Sequence, residues 1–264
     1  MMPIIEDRGF QYGDGLFETM AVRLGEVPLL AFHLARLAHD LARLDIKLDI
    51  SALEAAVVAL AAQQVSSTSC ILKLIVTRGS GGRGYAPSDA LDAQYYMQIL
   101  PWPEMPSTYV TDGITLQVCD LVLSQQSRLA GMKHLNRLEQ VLAAQELKDD
   151  AVEGLLLDTQ GHVIEAISAN IFIVKGRTLL TPRLDRCGVA GVMRAYLMDL
   201  VTDFQLQVAE VNFTLTELAQ ADEIFLCNSI RGIWPVVNVQ TVCEKPVGAV
   251  TRALQYALKK RLGV

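Results

Sequence analysis

No apolar run in this chain reaches the ~18 residues that a membrane-crossing helix needs, so no helical span is expected. Its start has no basic stretch followed by an apolar run and a small-residue cleavage site. No signal peptide is therefore expected, and a cytoplasmic setting is. Basic charge is in the minority. Lys and Arg number 23 against 29 Asp and Glu, and the formal net charge of −6 disfavours a nucleic-acid surface. Cysteine is sparse and unpaired in pattern. The five stand at 70, 119, 187, 227 and 243, none in a C-x-x-C pair, so reduced core thiols and no metal site are expected. There is no internal repeat and no low-complexity tract. What the chain has in excess is apolar weight. It is 51% hydrophobic, with a mean hydropathy of +0.29, and lacks a membrane span, which predicts a buried subunit interface. Its 264 residues suffice for a large core in one large domain or two modest ones.

Periodicity predicts alternating strands and helices in two parts. Phe10 to Ala21 and Val27 to Leu30 read as short strands around a turn at Gly25-Glu26. Leu34, Leu37, Leu41 and Leu44 share one face of a helix over 32–44. Ser51 and Glu54 have the spacing of a capping box before a helix over 52–64. Cys70 to Thr77 and Gln94 to Leu100 read as buried strands. The segment Pro101-Trp102-Pro103-Glu104-Met105-Pro106-Ser107 continues neither element, because its three prolines fix φ and remove donors. It reads as a linker, giving a domain over 1–106 and a larger one over 107–264. In the second part, Gly113 to Asp120 reads as a strand. Asn136 and Glu139 look like a cap before a helix running to about Lys148. Gly154 to Asp158 with His162 to Glu165, and Asn170 to Lys175 with Thr178 to Thr181, read as hairpins. Helices follow at about 192–204, 215–220 and 250–262. The expected class is α+β with largely antiparallel pairing, not a doubly wound sheet.

Gly79-Ser80-Gly81-Gly82-Arg83-Gly84 satisfies G-x-G-x-x-G after a probable strand. A dinucleotide site needs a helix to begin there, so that its free amides meet the pyrophosphate. Here Tyr85-Ala86-Pro87-Ser88-Asp89 follows and reads as loop, and the Gly-Lys-Ser/Thr ending of a P-loop is missing. A flexible active-site loop whose Arg83 meets an acidic substrate is one reading. A plain surface loop is the other.

Lys133 lies in Ala130-Gly131-Met132-Lys133-His134-Leu135-Asn136-Arg137-Leu138-Glu139-Gln140-Val141, and Glu165 in Val163-Ile164-Glu165-Ala166-Ile167-Ser168-Ala169-Asn170-Ile171-Phe172. Taken alone, a lysine before a helix is a solvated surface group. Positive neighbours and apolar surroundings instead lower a lysine's proton affinity and make it reactive. Lys133 has His134 and Arg137 near it in sequence, and Met132 and Leu135 beside it.

These two segments resemble the fold-type IV enzymes that use pyridoxal 5'-phosphate (PLP). Four more segments carry the likeness in order: Asp7 to Thr19, His33 to Leu37, Gly188 to Arg194, and Ala221 to Ser229. The resemblance implies a two-domain α+β fold: a small N-terminal α/β domain and a larger C-terminal α/β pseudo-barrel domain. It also implies a homodimer and PLP as cofactor. By position, Lys133 matches the lysine that carries PLP and moves a proton, and Glu165 the acid facing the pyridine nitrogen. Arg36 matches the phosphate-binding arginine, though alone it reads as a solvated helix charge. Gly191, Val192 and Met193 match a helix start whose amides hold phosphate, which the helix dipole favours. Ser229 matches a phosphate-binding hydroxyl, with Asn228 beside it; alone, both are turn residues. Arg83 and Tyr12 are implied as substrate contacts.

Within the family, aminotransferases often carry a tyrosine shortly after the lysine. Lys133-His134-Leu135-Asn136-Arg137 has none. That segment, Arg78 to Tyr85, and Cys227-Asn228 all resemble the aminodeoxychorismate lyases. Those enzymes split 4-amino-4-deoxychorismate into 4-aminobenzoate, a folate precursor, and pyruvate. The alternative is a branched-chain or D-amino-acid aminotransferase of the same fold. A PLP-binding module without turnover would not need an acid on the pyridine nitrogen, and an interaction protein would be colourless.

Overall fold

The computed structural model describes residues 4–64, 69–88, 91–148 and 150–263; Asp89, at the end of the expected loop, lies outside them. The chain divides into two compact units. One comprises Met1–Pro103 with Met132–Asn136, and the other Glu104–Gly131 with Arg137–Val264.

The first unit contains α1 (Arg8–Tyr12), β1 (Gly15–Val22), α2 (Leu30–Leu44), α3 (Ile50–Ala62), β2 (Cys70–Thr77) and β3 (Gln94–Pro101). Its strands form an antiparallel sheet in the order β1-β2-β3. The expected strand from Phe10 begins only at Gly15. Asp7 accepts the Gly9 N–H and caps α1, and Gly13 ends it in the left-handed conformation at φ 66°. A backbone reversal at that φ favours glycine. The expected strand over Val27–Leu30 does not form: a single bridge, Arg23 to Glu26 around Leu24 and Gly25, precedes it, and the chain turns into α2 at Leu30; Pro28 supplies no donor for a ladder. The cap of α3 is Asp49, which accepts from Ser51 and Ala52 N–H groups, and not the Ser51 and Glu54 pair. The α2 stripe holds: Leu34, Leu37 and Leu41 are buried. Leu37 and Leu41 join Leu16, Met20, Leu53, Leu72, Leu74 and Met132 in one core. Each such side chain withdrawn from water is worth about 1.5–3 kcal/mol.

The second unit begins with α4 (Thr108–Thr111), β4 (Ile114–Leu123), α5 (Leu138–Glu146), β5 (Glu153–Asp158), β6 (Val163–Ala166), β7 (Asn170–Lys175) and β8 (Thr178–Pro182). It continues with α6 (Val192–Leu200), β9 (Gln207–Val211), α7 (Leu215–Ala219), β10 (Glu223–Asn228), β11 (Gly232–Val239), β12 (Cys243–Glu244) and α8 (Ala249–Leu262). One nine-stranded sheet runs β6-β5-β4-β11-β10-β7-β8-β9, with β12 on β11. Both expected hairpins are present. Pairing is mostly antiparallel, with parallel pairs at β4/β5, β4/β11 and β8/β9. The α5 helix opens at Arg137 with no side-chain cap; Glu139 instead accepts the Ser124 N–H at 2.8 Å. Phe172 and Phe225 stack across β7 and β10 at 5.2 Å. The α+β class expected from the sequence is the class observed.

Candidate active site

In the first unit, the residues around Lys133 form an extra strand-like edge on β1. Phe17 N–H donates to Lys133 C=O at 3.0 Å, and Leu135 N–H to Gly15 C=O at 3.0 Å. Lys133 N–H donates to the Asp40 carboxylate of α2 at 3.2 Å. The half-buried Lys133 side chain places its ammonium 4.3 Å from the centre of the Phe17 ring. The lysine is thus fixed by its backbone on two sides and rests on an aromatic face, which attracts a cation.

Arg36 is not a solvated charge. Its side chain is 10% exposed and grips Glu18 of β1: Nε donates to Oε1 at 2.8 Å, and Nη2 to Oε2. His33, one turn earlier on α2, lies with Nδ1 2.5 Å from Glu18 Oε2. Burial pushes the Glu18 carboxyl up, but Arg36 and His33 outweigh it and hold it down at about 2. Burial pushes His33 the other way, below its ordinary range, and the charge of Lys133 adds to that. Burial also raises Asp40, against the Lys133 N–H and Arg36. His33, Arg36 and Asp40 recur at the spacing of one helix face. Glu18, Asp40 and the part His33 plays were missed by the sequence reading. A buried acid between Leu16 and Met20 on the inner face of a strand was the available signal.

In the second unit, Glu165 on β6 is 4% exposed and accepts the Val189 N–H at 2.8 Å. Asn170 clamps the same turn: its amide donates to Val189 C=O at 2.8 Å and accepts from Gly191 N–H at 3.1 Å. Gly131 adds two backbone bonds, to Gly188 and Ala190. This turn leads into α6, whose N-cap is Gly191 and which no side chain caps. A Cβ on Gly191 would stand 2.0 Å from Asn170 Oδ1, so the clamp requires glycine. The buried carboxylate and an amide-bearing helix start are therefore joined by one hydrogen bond. Asn228 is occupied in shaping the next turn. Its oxygen accepts from Ile230 at 3.0 Å and Arg231 at 2.7 Å, and its nitrogen donates to Ser168 C=O at 3.0 Å. Ser229, half-buried, rides on that turn.

The donor sets suit PLP: an amine on an aromatic face, an arginine held by a carboxylate, a buried acid, and a side-chain-free helix start that favours an anion. Tyr12 and Arg83 belong to the first unit. Tyr12 meets Tyr85 edge-on at 5.4 Å, and Arg83 is exposed on the glycine-rich loop. Among the described residues no helix follows that loop, although the dinucleotide reading would require one.

The chain belongs to the amino-transferase class IV family, whose profile matches residues 15–239. It is a PLP-dependent enzyme of fold-type IV. Among solved structures it is similar to the 4-amino-4-deoxychorismate lyase of Pseudomonas aeruginosa. That likeness has 44% identity and a TM-score of 0.96, covering 100% of this chain and 97% of that one. The aminodeoxychorismate lyase of Vibrio harveyi is 36% identical over 255 residues, 94% of this chain and 93% of its own. A putative branched-chain-amino-acid aminotransferase of Methanocaldococcus jannaschii is 31% identical over 257 residues, 96% of this chain and 88% of its own.

Proposed function

We propose that this enzyme converts 4-amino-4-deoxychorismate to 4-aminobenzoate and pyruvate. The observation that carries the reading is the end-to-end likeness to the Pseudomonas aeruginosa lyase, at 44% identity. Bound PLP supplies an electron sink for the substrate carbon that bears the amino group. Lys133 would carry the cofactor, and its Nζ would take the proton from substrate C4. The same Nζ then returns a proton to the departing enolpyruvyl group. Glu165 would face the pyridine nitrogen and favour its protonated form. Its bond to Val189 N–H aims the carboxylate. Arg36, the Val192 and Met193 amides and Ser229 hold the phosphate. Asn228 supports this by fixing the turn that carries Ser229. Arg83 and Tyr12 meet the substrate. The two products together contain all the substrate's atoms, so no acceptor enters the balance, and ring aromatisation drives the reaction forward.

The reading extends to a homodimer in the cytoplasm. Supporting the first are the apolar share of 51% and apolar side chains that stand exposed, such as Leu138 at 75% and Leu142 at 52%. Supporting the second, the five cysteines are all free thiols.

The deciding assay supplies 4-amino-4-deoxychorismate and no keto acid. Many turnovers to 4-aminobenzoate and pyruvate are expected. An aminotransferase would stop after one amino transfer and resume only with a keto acid. Exchange of amino groups with 2-oxoglutarate and no 4-aminobenzoate would replace the lyase reading with the aminotransferase one.

A further inference from the structure

Arg8 is 4% exposed and carries no role in the chemistry above. Its contacts run to both ends of the glycine-rich loop. The Arg8 N–H donates to Gly79 C=O at 2.9 Å, where the loop leaves β2. Its guanidinium donates from Nη1 to Gly84 C=O at 3.0 Å and from Nη2 to Tyr85 C=O at 2.9 Å, where the loop ends. Nε donates to Asp14 at 2.8 Å. The Tyr12 ring lies 5.1 Å below the guanidinium and also touches Tyr85. Gly82, at φ +81°, leaves room for the arginine: a Cβ there would stand 3.3 Å from Nη1.

Carbonyl acceptors explain why the residue is arginine. Three donor nitrogens in one rigid plane satisfy two adjacent loop carbonyls and one carboxylate together. Four loop glycines at positive φ, 79, 81, 82 and 84, would otherwise leave this segment a broad choice of conformations. Between the clamped ends stands Arg83, exposed and with no ion pair among the described residues.

The other end of the same stretch holds the reactive lysine. Asp14, gripped by Arg8, also takes two bonds from Arg78, at 2.8 and 3.0 Å. Gly13 and Gly15 on either side of it accept from Asn136 and Leu135. The run from Arg8 to Phe17 therefore fixes the loop at its start and the Lys133 segment at its finish.

We propose that Arg8 is a positioning residue that locks the Gly79–Tyr85 loop so that Arg83 meets a substrate carboxylate. The inference deepens the lyase reading and rests on it for the identity of the substrate. Arg8 acts through the loop and touches no reacting atom. Its loss raises KM for the carboxylate-bearing substrate and changes kcat little.

The test uses PLP-loaded enzyme and two readouts. The first is trypsin cleavage of the Arg83–Gly84 bond, followed by fragment mass; the second is steady-state kinetics with 4-amino-4-deoxychorismate. In Arg8→Gln, cleavage is expected about 10-fold faster, because an unclamped loop opens more often. KM is expected to rise about 10-fold, with kcat within about 3-fold of wild type. Arg8→Lys keeps the charge for Asp14 but cannot reach both carbonyls, so it should fall between the two. It also stands in if Arg8→Gln does not fold. Arg83→Gln should raise KM alike while removing the cleavage site. Unchanged cleavage in both Arg8 variants would overturn the lock. Faster cleavage with unchanged KM would overturn the substrate contact. A wild-type enzyme that makes no 4-aminobenzoate would refute the lyase reading, and the trypsin result would still decide the lock.

Discussion

The candidate-site residues of the two units hold charge by different means. In the first, side chain meets side chain: Glu18 holds Arg36 and His33, and Asp14 holds Arg8 and Arg78. In the second, backbone amides carry the turn before α6, beside side-chain pairs elsewhere such as Glu153 with Arg231. Glu165 accepts the Val189 N–H, and α6 presents its start behind a glycine. A buried ion pair loses much when either partner is removed, because the other charge is left uncompensated. The start of α6 has no side-chain member to lose, but it depends on backbone shape and so on glycine. The first unit should therefore be sensitive to charge and salt, and the second to added side-chain volume.

The largest effect lies outside this contrast and sets its scale. Lys133→Ala should abolish turnover and the borohydride-reducible link to PLP, while PLP still binds through its phosphate. Near wild-type turnover with a reducible lysine adduct would move the reactive amine elsewhere. Next, Glu165→Gln keeps the shape and removes the charge. A loss of about 10²-fold in kcat/KM is expected, or about 2.7 kcal/mol of transition-state stabilisation. A rate within about twofold of wild type would leave Glu165 as a turn anchor only.

The comparison itself is sharpened by a matched pair. Glu18→Gln should free Arg36 from its anchor, and Gly191→Ala should drive a Cβ into Asn170. Both should raise the PLP concentration for half-saturation of apoenzyme, by about 10-fold, roughly the worth of one charge-assisted hydrogen bond. Fluorescence titration with PLP at low and high salt separates them. The Glu18 defect should change with salt, and the Gly191 defect should not. Equal salt dependence would erase the distinction between the units.

The smallest effect is on acid stability. The Glu18 carboxyl is held at about 2 in the fold against an ordinary 4.5. A lowered native value means that the contribution is whole above 4.5 and fades as pH falls toward 2. Urea unfolding at pH 5 and pH 3 should show a larger loss for wild type than for Glu18→Gln.

Local features were legible in the sequence and distant partners were not. Leu34, Leu37 and Leu41 announce α2 by spacing alone, and Asn170 to Thr181 announces a hairpin. The Gly79–Gly84 run was separated from a nucleotide loop by the proline and polar residues behind it. The strand start at Phe10 was misread because an aspartate cap and a left-handed glycine outweigh apolar alternation over five residues. Asp49 displaced the Ser51 and Glu54 pair because its carboxylate, two residues earlier, takes the Ser51 and Ala52 amides and starts the helix ahead of Ser51. Lys133, Glu165 and Arg36 were singled out through their local contexts and stand as the proposed site. Glu18, Asp40 and Arg8 were not, because their meaning lies in partners far along the chain. Asp40 serves a lysine at 133, and Arg8 serves carbonyls at 84 and 85.

The segment Met132–Asn136 belongs to the first unit although it follows the start of the second. Met132 is 1% exposed within that unit's core, and its neighbours complete the edge of β1. During synthesis the first unit therefore waits unfinished. Residues up to Pro103 leave the ribosome with a hole where Met132 will sit and with the amide of Phe17 unpaired. At ordinary translation speeds the gap lasts on the order of a few seconds. The lysine proposed to carry PLP arrives on the same short piece that closes the unit, so the nascent chain has no finished fold before it has that amine.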